Sequence, residues 1–403
     1  MQVNRVQFLD GFRFILSLWV VLAHFYTLVG GVMFIPLPRI LQSFNHPIIA
    51  VYGFMVITGF LMTYNYMSRE HKEPVNHQST FFKFWLRRLF RLYPVYILLL
   101  TIAFISFTNI AKVNEENLIF FTGSNVSQWG FVRSVTQPGI PDFISHILLV
   151  HGLFPSFHDS ILGVTWSLSL EMQFYFLFPF IFLFTFANRS LHQKKLVLFL
   201  LLCTFLAILS PKVFDFLTKY FSLPKFKLPS ILTYTMPLFL FGMISAGVRL
   251  KKISSIYLII AIIVLLSFQA FLTNLILSIF LLFLFLDKLE HIIPGFMFRI
   301  ISSARSLMSE KLAGYGADIS YSLYLIHTLL IGYILQFTIT IFDDQSVSKP
   351  TIALVALALT LIICFTICYL IYLFIEKPFI KLGRSMVDKI VDDRKATAPS
   401  LVE

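Results

Sequence analysis

The sequence predicts an all-α fold, a polytopic transmembrane helical bundle of about ten spans with both termini cytoplasmic. Composition is the first reason. The 403 residues are 58% hydrophobic and 13% charged, with a mean hydropathy of +0.83, about half the charge of a soluble domain. The second is continuity. The apolar residues form unbroken Leu/Ile/Phe blocks, most of them long enough to cross ~30 Å of hydrocarbon as a helix. Spanning backbone must satisfy its own hydrogen bonds in helices or a closed barrel, and these blocks lack the alternation of barrel strands. The third is the placement of Lys and Arg, which alternates along the chain.

The spans lie near 12–30, 48–67, 93–110, 163–187, 196–210, 231–248, 254–273, 274–286, 318–341 and 351–375. The first opens with Asp10 and Arg13 and is followed by no small-residue cleavage site, so it is a retained span rather than a signal peptide. The third follows the cluster Arg87, Arg88 and Arg91 and begins at Tyr93-Pro94. Segment 111–162 is the longest outer loop, and its apolar stretch 143–154 is too short to span, which suits a re-entrant or interfacial segment. The fourth span starts near Trp166 and carries Glu171. Segments 211–229 and 290–316 read as amphipathic or loop connections. The seventh and eighth spans divide near Thr273–Asn274, because one merged helix would break the charge alternation. Residues 1–384 form one membrane domain, and 385–403 a short charged cytoplasmic tail.

That alternation sets the orientation. Of the 32 Lys and Arg residues, 24 fall in the terminal and alternate segments and 8 in the others (Arg39, Lys112, Arg133, Lys212, Lys219, Lys225, Lys227 and Lys349). The positive-inside rule puts the rich set in the cytoplasm. The net charge of +12 therefore belongs to the inner membrane face and implies lipid contact, with no nucleic-acid partner. Cys203, Cys364 and Cys368 all lie within apolar blocks and read as packing residues.

An ionisable residue inside a span is a functional hypothesis by default. Arg13 and His24 share one face of the first span, about 16 Å apart along the axis. Alone they read equally as a snorkelling arginine and a histidine bonded to a neighbouring helix. Glu171 sits about two turns into the fourth span, at a depth similar to His24, which would relieve its cost by pairing with it. Arg88 and Arg91 lie three apart and suit phosphate, although the spacing alone favours an ordinary lipid anchor. His327, mid-span, reads alone as a satisfied core histidine. His46, His146, His151 and His158 lie in outer segments without metal-ligand spacing, so no metal is expected.

Several motifs, in order, resemble the bacterial membrane acyltransferase-3 family. They are Arg13 with His24 eleven residues on; Thr58-Gly59-Phe60-Leu61; Arg88-Leu89-Phe90-Arg91 with Tyr93-Pro94; the run Trp166-Ser167-Leu168-Ser169-Leu170-Glu171-Met172-Gln173-Phe174-Tyr175; Ser320-Tyr321-Ser322-Leu323-Tyr324-Leu325-Ile326-His327; and Glu376-Lys377-Pro378. Met172 and Thr328 depart from residues frequent in the family. The resemblance implies ten spans in a bacterial inner membrane and O-acyl transfer from cytoplasmic acyl-CoA, usually acetyl-CoA. The acceptor it implies is a hydroxyl of a surface polysaccharide or lipid-linked glycan, with no permanently bound cofactor.

On that reading Arg13, Arg88 and Arg91 hold the CoA phosphates, and His24 and Glu171 are the catalytic pair. Trp166, Ser167, Ser169, Tyr175 and His327 bind or position substrate. Trp129 and Phe131, in the long outer loop, are available to stack on sugar rings or to anchor at the interface. The competing reading is a glycan or organic-anion transporter that uses the same buried charges as a proton relay. Neither an internal repeat nor a need for an inner arginine cluster supports it.

Overall fold

The computed structural model describes residues 6–36, 38, 42, 45–70, 73–74, 78–123, 137–186, 192–342 and 347–397. Trp129, Phe131, Arg39 and Arg133 lie outside these residues. The described residues form a helical bundle without strands. Its helices are α1 (Phe8–Leu28), α2 (Pro47–Ser68), α3 (Gln78–Ile105), α4 (Phe107–Thr122), α5 (Ile140–Ile147), α6 (Trp166–Phe186), α7 (His192–Phe221) and α8 (Leu232–Arg249). They continue with α9 (Ser255–Phe268), α10 (Phe271–Leu289), α11 (Gly295–Leu307), α12 (Lys311–Phe342), α13 (Lys349–Ile371) and α14 (Lys377–Thr397).

Eight of the described helical segments are long and apolar enough to cross a membrane: α1, α2, α3, α6, α7, α10, α12 and the segment containing α13. The other two expected spans are present as α8, with 18 residues, and α9, with 14. Helices α9 and α10 are separate, and the break falls at Gln269–Ala270 rather than at 273–274. Outward-facing Phe176, Phe180, Leu198, Phe205, Ile263, Leu354 and Ile362 are each more than half exposed, as lipid-facing positions are when no water drives them inward.

Helix α8 is the centre of the bundle, buried on every face from Thr235 to Val248. It meets α2 backbone to backbone. A Cβ on Gly59 would stand 2.1 Å from the Phe239 carbonyl oxygen, and one on Gly242 would stand 2.1 Å from that of Val56. Small residues are what let two spans approach this closely. Helix α1 lies between α2 and α12. Gly11 donates its N–H to the Met308 carbonyl at 3.2 Å, and Gly316 receives the Phe14 ring. These contacts set the first span, with Arg13 and His24, directly against the helix that carries His327.

Four segments depart from the expected boundaries. Helix α7 runs on through Pro211 to Phe221, past the expected end at 210. Helix α3 begins at Gln78, so Arg87, Arg88 and Arg91 stand on the helix rather than before it, and the helix continues through Pro94. Within a bundle, neighbouring helices re-satisfy the backbone that a proline frees. The third span, expected to run to 110, ends at Ile105, and residues 107–110 with 111–122 of the expected loop form helix α4; its polar Asn114, Glu115 and Glu116 lower its hydropathy, yet Asn117 binds the Gly332 carbonyl on α12 at 2.8 Å. Helix α14 runs past Arg384 to Thr397, with Gly383 against Phe90 and Val387 buried.

The stretch 143–154 forms the end of α5 and a 3-10 turn at His151–Leu153. It docks on α3, where Tyr93 and Tyr96 donate to the Ile147 and His146 carbonyls at 3.0 and 2.8 Å. The buried His146 and His151 rings stack 3.9 Å apart at 6°. This cap covers the first turn of α6.

Candidate active site

Two adjoining cavities open at the Arg13 end of the bundle. The larger is a vestibule of about 1100 Å³ between α1, α2, α3, α12 and α14, lined by charged side chains of α1, α3, α12 and α14 and by Tyr64, Asn65 and Tyr66 of α2. The smaller is a slot of about 110 Å³ that runs inward between α1, α2, α3, α6 and α12. Arg13, Leu61, Met62, Arg88 and Arg91 line both, so a ring of three arginines stands at the neck between them.

Each arginine has a definite setting. Arg88 lies over the rings of Phe84 and Tyr175, at 5.7 and 5.5 Å from their centroids, a cation–π arrangement that orders a guanidinium without neutralising it. Trp85 ties this part of α3 to α6 by donating to the Tyr175 carbonyl at 2.9 Å. Arg87, one residue away, is engaged elsewhere in a two-pronged bond to Glu73, at 2.8 and 2.7 Å. The three residues expected to bind phosphate are therefore the ones at the neck, and Arg87 stands apart from them.

The motif on α6 divides into two faces at i, i+4 spacing. Ser167, Glu171 and Tyr175 face the slot. Tyr175 donates a short hydrogen bond to the Glu171 carboxylate, and Thr58 donates to the same oxygen at 3.3 Å. Ser169 and Gln173 face away and build the scaffold. Ser169 donates to the Leu149 carbonyl at 2.7 Å and accepts from the Gly152 N–H at 3.2 Å. Gln173 bridges the Ser230 carbonyl and the Leu232 N–H at 2.9 and 3.0 Å, capping α8. Trp166 is buried at the first position of α6 and, like Ser169, does not line the slot.

The second motif contributes the opposite wall. Ser320, Tyr321 and Tyr324 line the slot. The Tyr324 hydroxyl sits 2.7 Å from Ser167 Oγ and 2.9 Å from the Val164 carbonyl, closing the inner end between α12 and α6. Behind it lies a pair of imidazoles. The Tyr324 and His327 rings are 6.2 Å apart, and the His327 and His24 rings 5.1 Å. Ser322 donates to Glu376, which a π-turn over Tyr372–Glu376 buries at the vestibule wall.

Glu171 and His24 are therefore not neighbours as expected. Glu171 lies on the slot with Thr58, Tyr175 and the arginines, while His24 faces His327. The depth estimate counted α6 from a membrane surface, whereas its first turn is covered by the 140–162 cap. Thr58, Tyr324, Tyr321 and Glu376 were visible as motif members, but nothing in their spacing assigned them a role. Among the described residues, no group of three His, Cys, Asp or Glu side chains is placed to hold a metal ion.

A protein-family model described as an acyltransferase domain matches residues 6–372. No curated protein and no solved structure matches the chain.

Proposed function

The chain belongs to the acyltransferase-3 family, and from that premise we propose that it moves an acetyl group from cytoplasmic acetyl-CoA to a hydroxyl of a cell-surface glycan or lipid-linked sugar across a bacterial inner membrane. The observation that supports this reading best is the arginine neck. Arg13, Arg88 and Arg91 stand where an open polar vestibule narrows to a slot lined by hydroxyls and one carboxylate. Three guanidiniums at such a neck suit the phosphates of a long, thin donor whose uncharged arm enters the slot.

In this mechanism the thioester is drawn toward Tyr324 and Ser167. The acceptor hydroxyl gives its proton to His24, and its oxygen attacks the thioester carbonyl. The Tyr324 and Ser167 hydroxyls, which donate to the Val164 carbonyl in the structure, turn from it to donate to the tetrahedral oxyanion. The carbon–sulfur bond breaks, and the thiolate takes the proton from His24. Glu171, bonded to Tyr175 and Thr58, holds the slot wall and balances the arginines. A route from slot to histidine pair requires the Tyr324 ring to turn, because the ring lies between them.

The test is surface-glycan acetylation in cells that express wild type, His24→Ala or Arg88→Ala at matched membrane levels. Loss in both variants is expected. Full acetylation by His24→Ala protein would refute the mechanism. No acetylation with wild type would refute the choice of acyl group or acceptor.

A further inference from the structure

Three buried histidines are each bonded at only one of their two nitrogens among the described residues. His146 and His151 stack on each other in the cap, while His327 faces the His24 ring, and its setting defines which nitrogen carries the proton. His327 is fully buried on α12, and its Nδ1 lies 3.0 Å from the Leu323 carbonyl oxygen. A carbonyl only accepts, so Nδ1 bears the hydrogen, and the neutral ring must present its lone pair at Nε2. Nε2 is buried with no hydrogen-bond partner among the described residues. A buried unpaired acceptor is costly, so a donor brought within reach of Nε2 would be stabilising.

The neighbour is the His24 ring, 5.1 Å away between centroids and tilted by 44°. Two imidazoles joined by one N–H···N bond of ordinary length have centroids about 5 Å apart. The separation of the two rings therefore matches that of a hydrogen-bonded pair. Among the described residues no other group hydrogen-bonds His24, and its ring is partly exposed, which leaves the second nitrogen available. The separation is built into the fold by the seating of α1 on α12 at Gly316 and on Met308, at the end of α11, at Gly11.

Resting on the acyl-transfer reading above, we infer that His327 is the positioning residue for His24: its Nε2 lone pair receives one N–H of His24 and so fixes the other nitrogen as the base that faces the acceptor hydroxyl. The proton balance is closed. The acceptor proton moves to the free nitrogen of His24, and the other N–H of the resulting imidazolium stays bonded to His327. The carbon–oxygen bond forms and the carbon–sulfur bond breaks. His24 then returns its proton to the departing thiolate, while His327 ends as it began. A neutral imidazole thus takes the orienting place that a carboxylate occupies in other hydrolytic and acyl-transfer sites.

The experiment uses full-length protein in lipid nanodiscs with ¹⁵N-labelled histidine, as wild type, His327→Gln and His327→Ala. Side-chain nitrogen spectra, assigned through a His24→Gln control, are read beside acetyl-CoA kinetics. The wild type should show His24 as a single tautomer. His327→Gln should keep it, because the amide oxygen also accepts an N–H, whereas His327→Ala should show a mixture. Turnover should fall roughly 100-fold in His327→Ala and less than about 10-fold in His327→Gln, with KM for acetyl-CoA within about twofold in both. The double variant His24→Ala/His327→Ala should be no slower than His24→Ala alone. An unchanged His24 tautomer in His327→Ala, or losses that multiply in the double variant, would overturn the inference. Wild-type protein that released no thiol would sink the acyl-transfer reading instead, and the His24 tautomer would still decide the pairing.

Discussion

Replacing Gly59 by alanine tests how the bundle holds its slot open. The new methyl carbon would lie 2.1 Å from the Phe239 carbonyl oxygen and 2.9 Å from its carbon. An ordinary carbon–oxygen contact is near 3.3 Å, so α2 and α8 must separate locally by roughly 1.2 Å. Backbone atoms on both sides leave no flexible side chain to absorb the change. Overpacking of this kind costs about 1–3 kcal/mol, and more where rigid elements must move. We therefore expect Gly59→Ala to cost about 3 kcal/mol and to lower the unfolding midpoint by about 5–10 °C.

The buried thiols of Cys203, Cys364 and Cys368 provide the assay, since a thiol-reactive fluorophore reports their exposure on heating. Activity should fall as well, because Thr58 and Phe239 both line the slot on the two helices that part. Gly242→Ala, whose methyl would meet the Val56 carbonyl oxygen at 2.1 Å, strains the same interface. The pair should then cost less than the sum of the two, since helices already separated accept the second methyl cheaply. A Gly59→Ala protein with an unchanged midpoint and unchanged activity would refute the backbone contact.

Other outcomes follow from the same geometry. Arg88→Ala should raise KM for acetyl-CoA at least tenfold, whereas Arg87→Ala should leave KM unchanged and lower the unfolding midpoint, since Arg87 is committed to Glu73; steady-state kinetics beside a melt separates the two. Burial pushes the Glu73 carboxyl up, but its bonds to Arg87 outweigh this and hold it below its usual value of 4.5, so the stability it contributes is present above that pH and is lost as pH falls below it. Burial first, and then the neighbouring His146, holds His151 well below the usual 6.5. The unfolded chain takes up that proton first, so the midpoint should drop as pH falls below about 6.5 in wild type and drop less in His151→Gln. Tyr324→Phe and Ser167→Ala remove the two ends of one 2.7 Å contact; turnover of the double variant should match that of the slower single one, and independent losses would separate their roles.

Much of this arrangement was legible in the sequence. Continuous apolar blocks located the spans, because hydrocarbon thickness sets the length of a helix whatever packs around it. The charge alternation correctly separated α9 from α10, although no proline or glycine marks the break at Gln269–Ala270. The convergence of Arg13, Arg88 and Arg91 followed from their common end of two adjacent spans. What stayed hidden depended on tertiary packing. Hydropathy cannot see α4, whose polar Asn117 is buried by a partner 215 residues away. Depth counted along one helix cannot see that a cap covers the start of α6, and so it paired His24 with Glu171 instead of His327. The motif on α6 did not reveal that Ser169 and Gln173 serve the cap and α8 while Ser167, Glu171 and Tyr175 serve the slot. That division needs the positions of five other elements.

The central claim is tested most directly by purified protein in sealed vesicles, with acetyl-CoA labelled in its acetyl group supplied on the Arg13 side and a hydroxyl-bearing glycan acceptor on the His24 side. Free thiol should appear on the donor side and label on the acceptor in equal amount, both abolished by His24→Ala. Label that reached the acceptor side without thiol release, or thiol release untouched by His24→Ala, would contradict it.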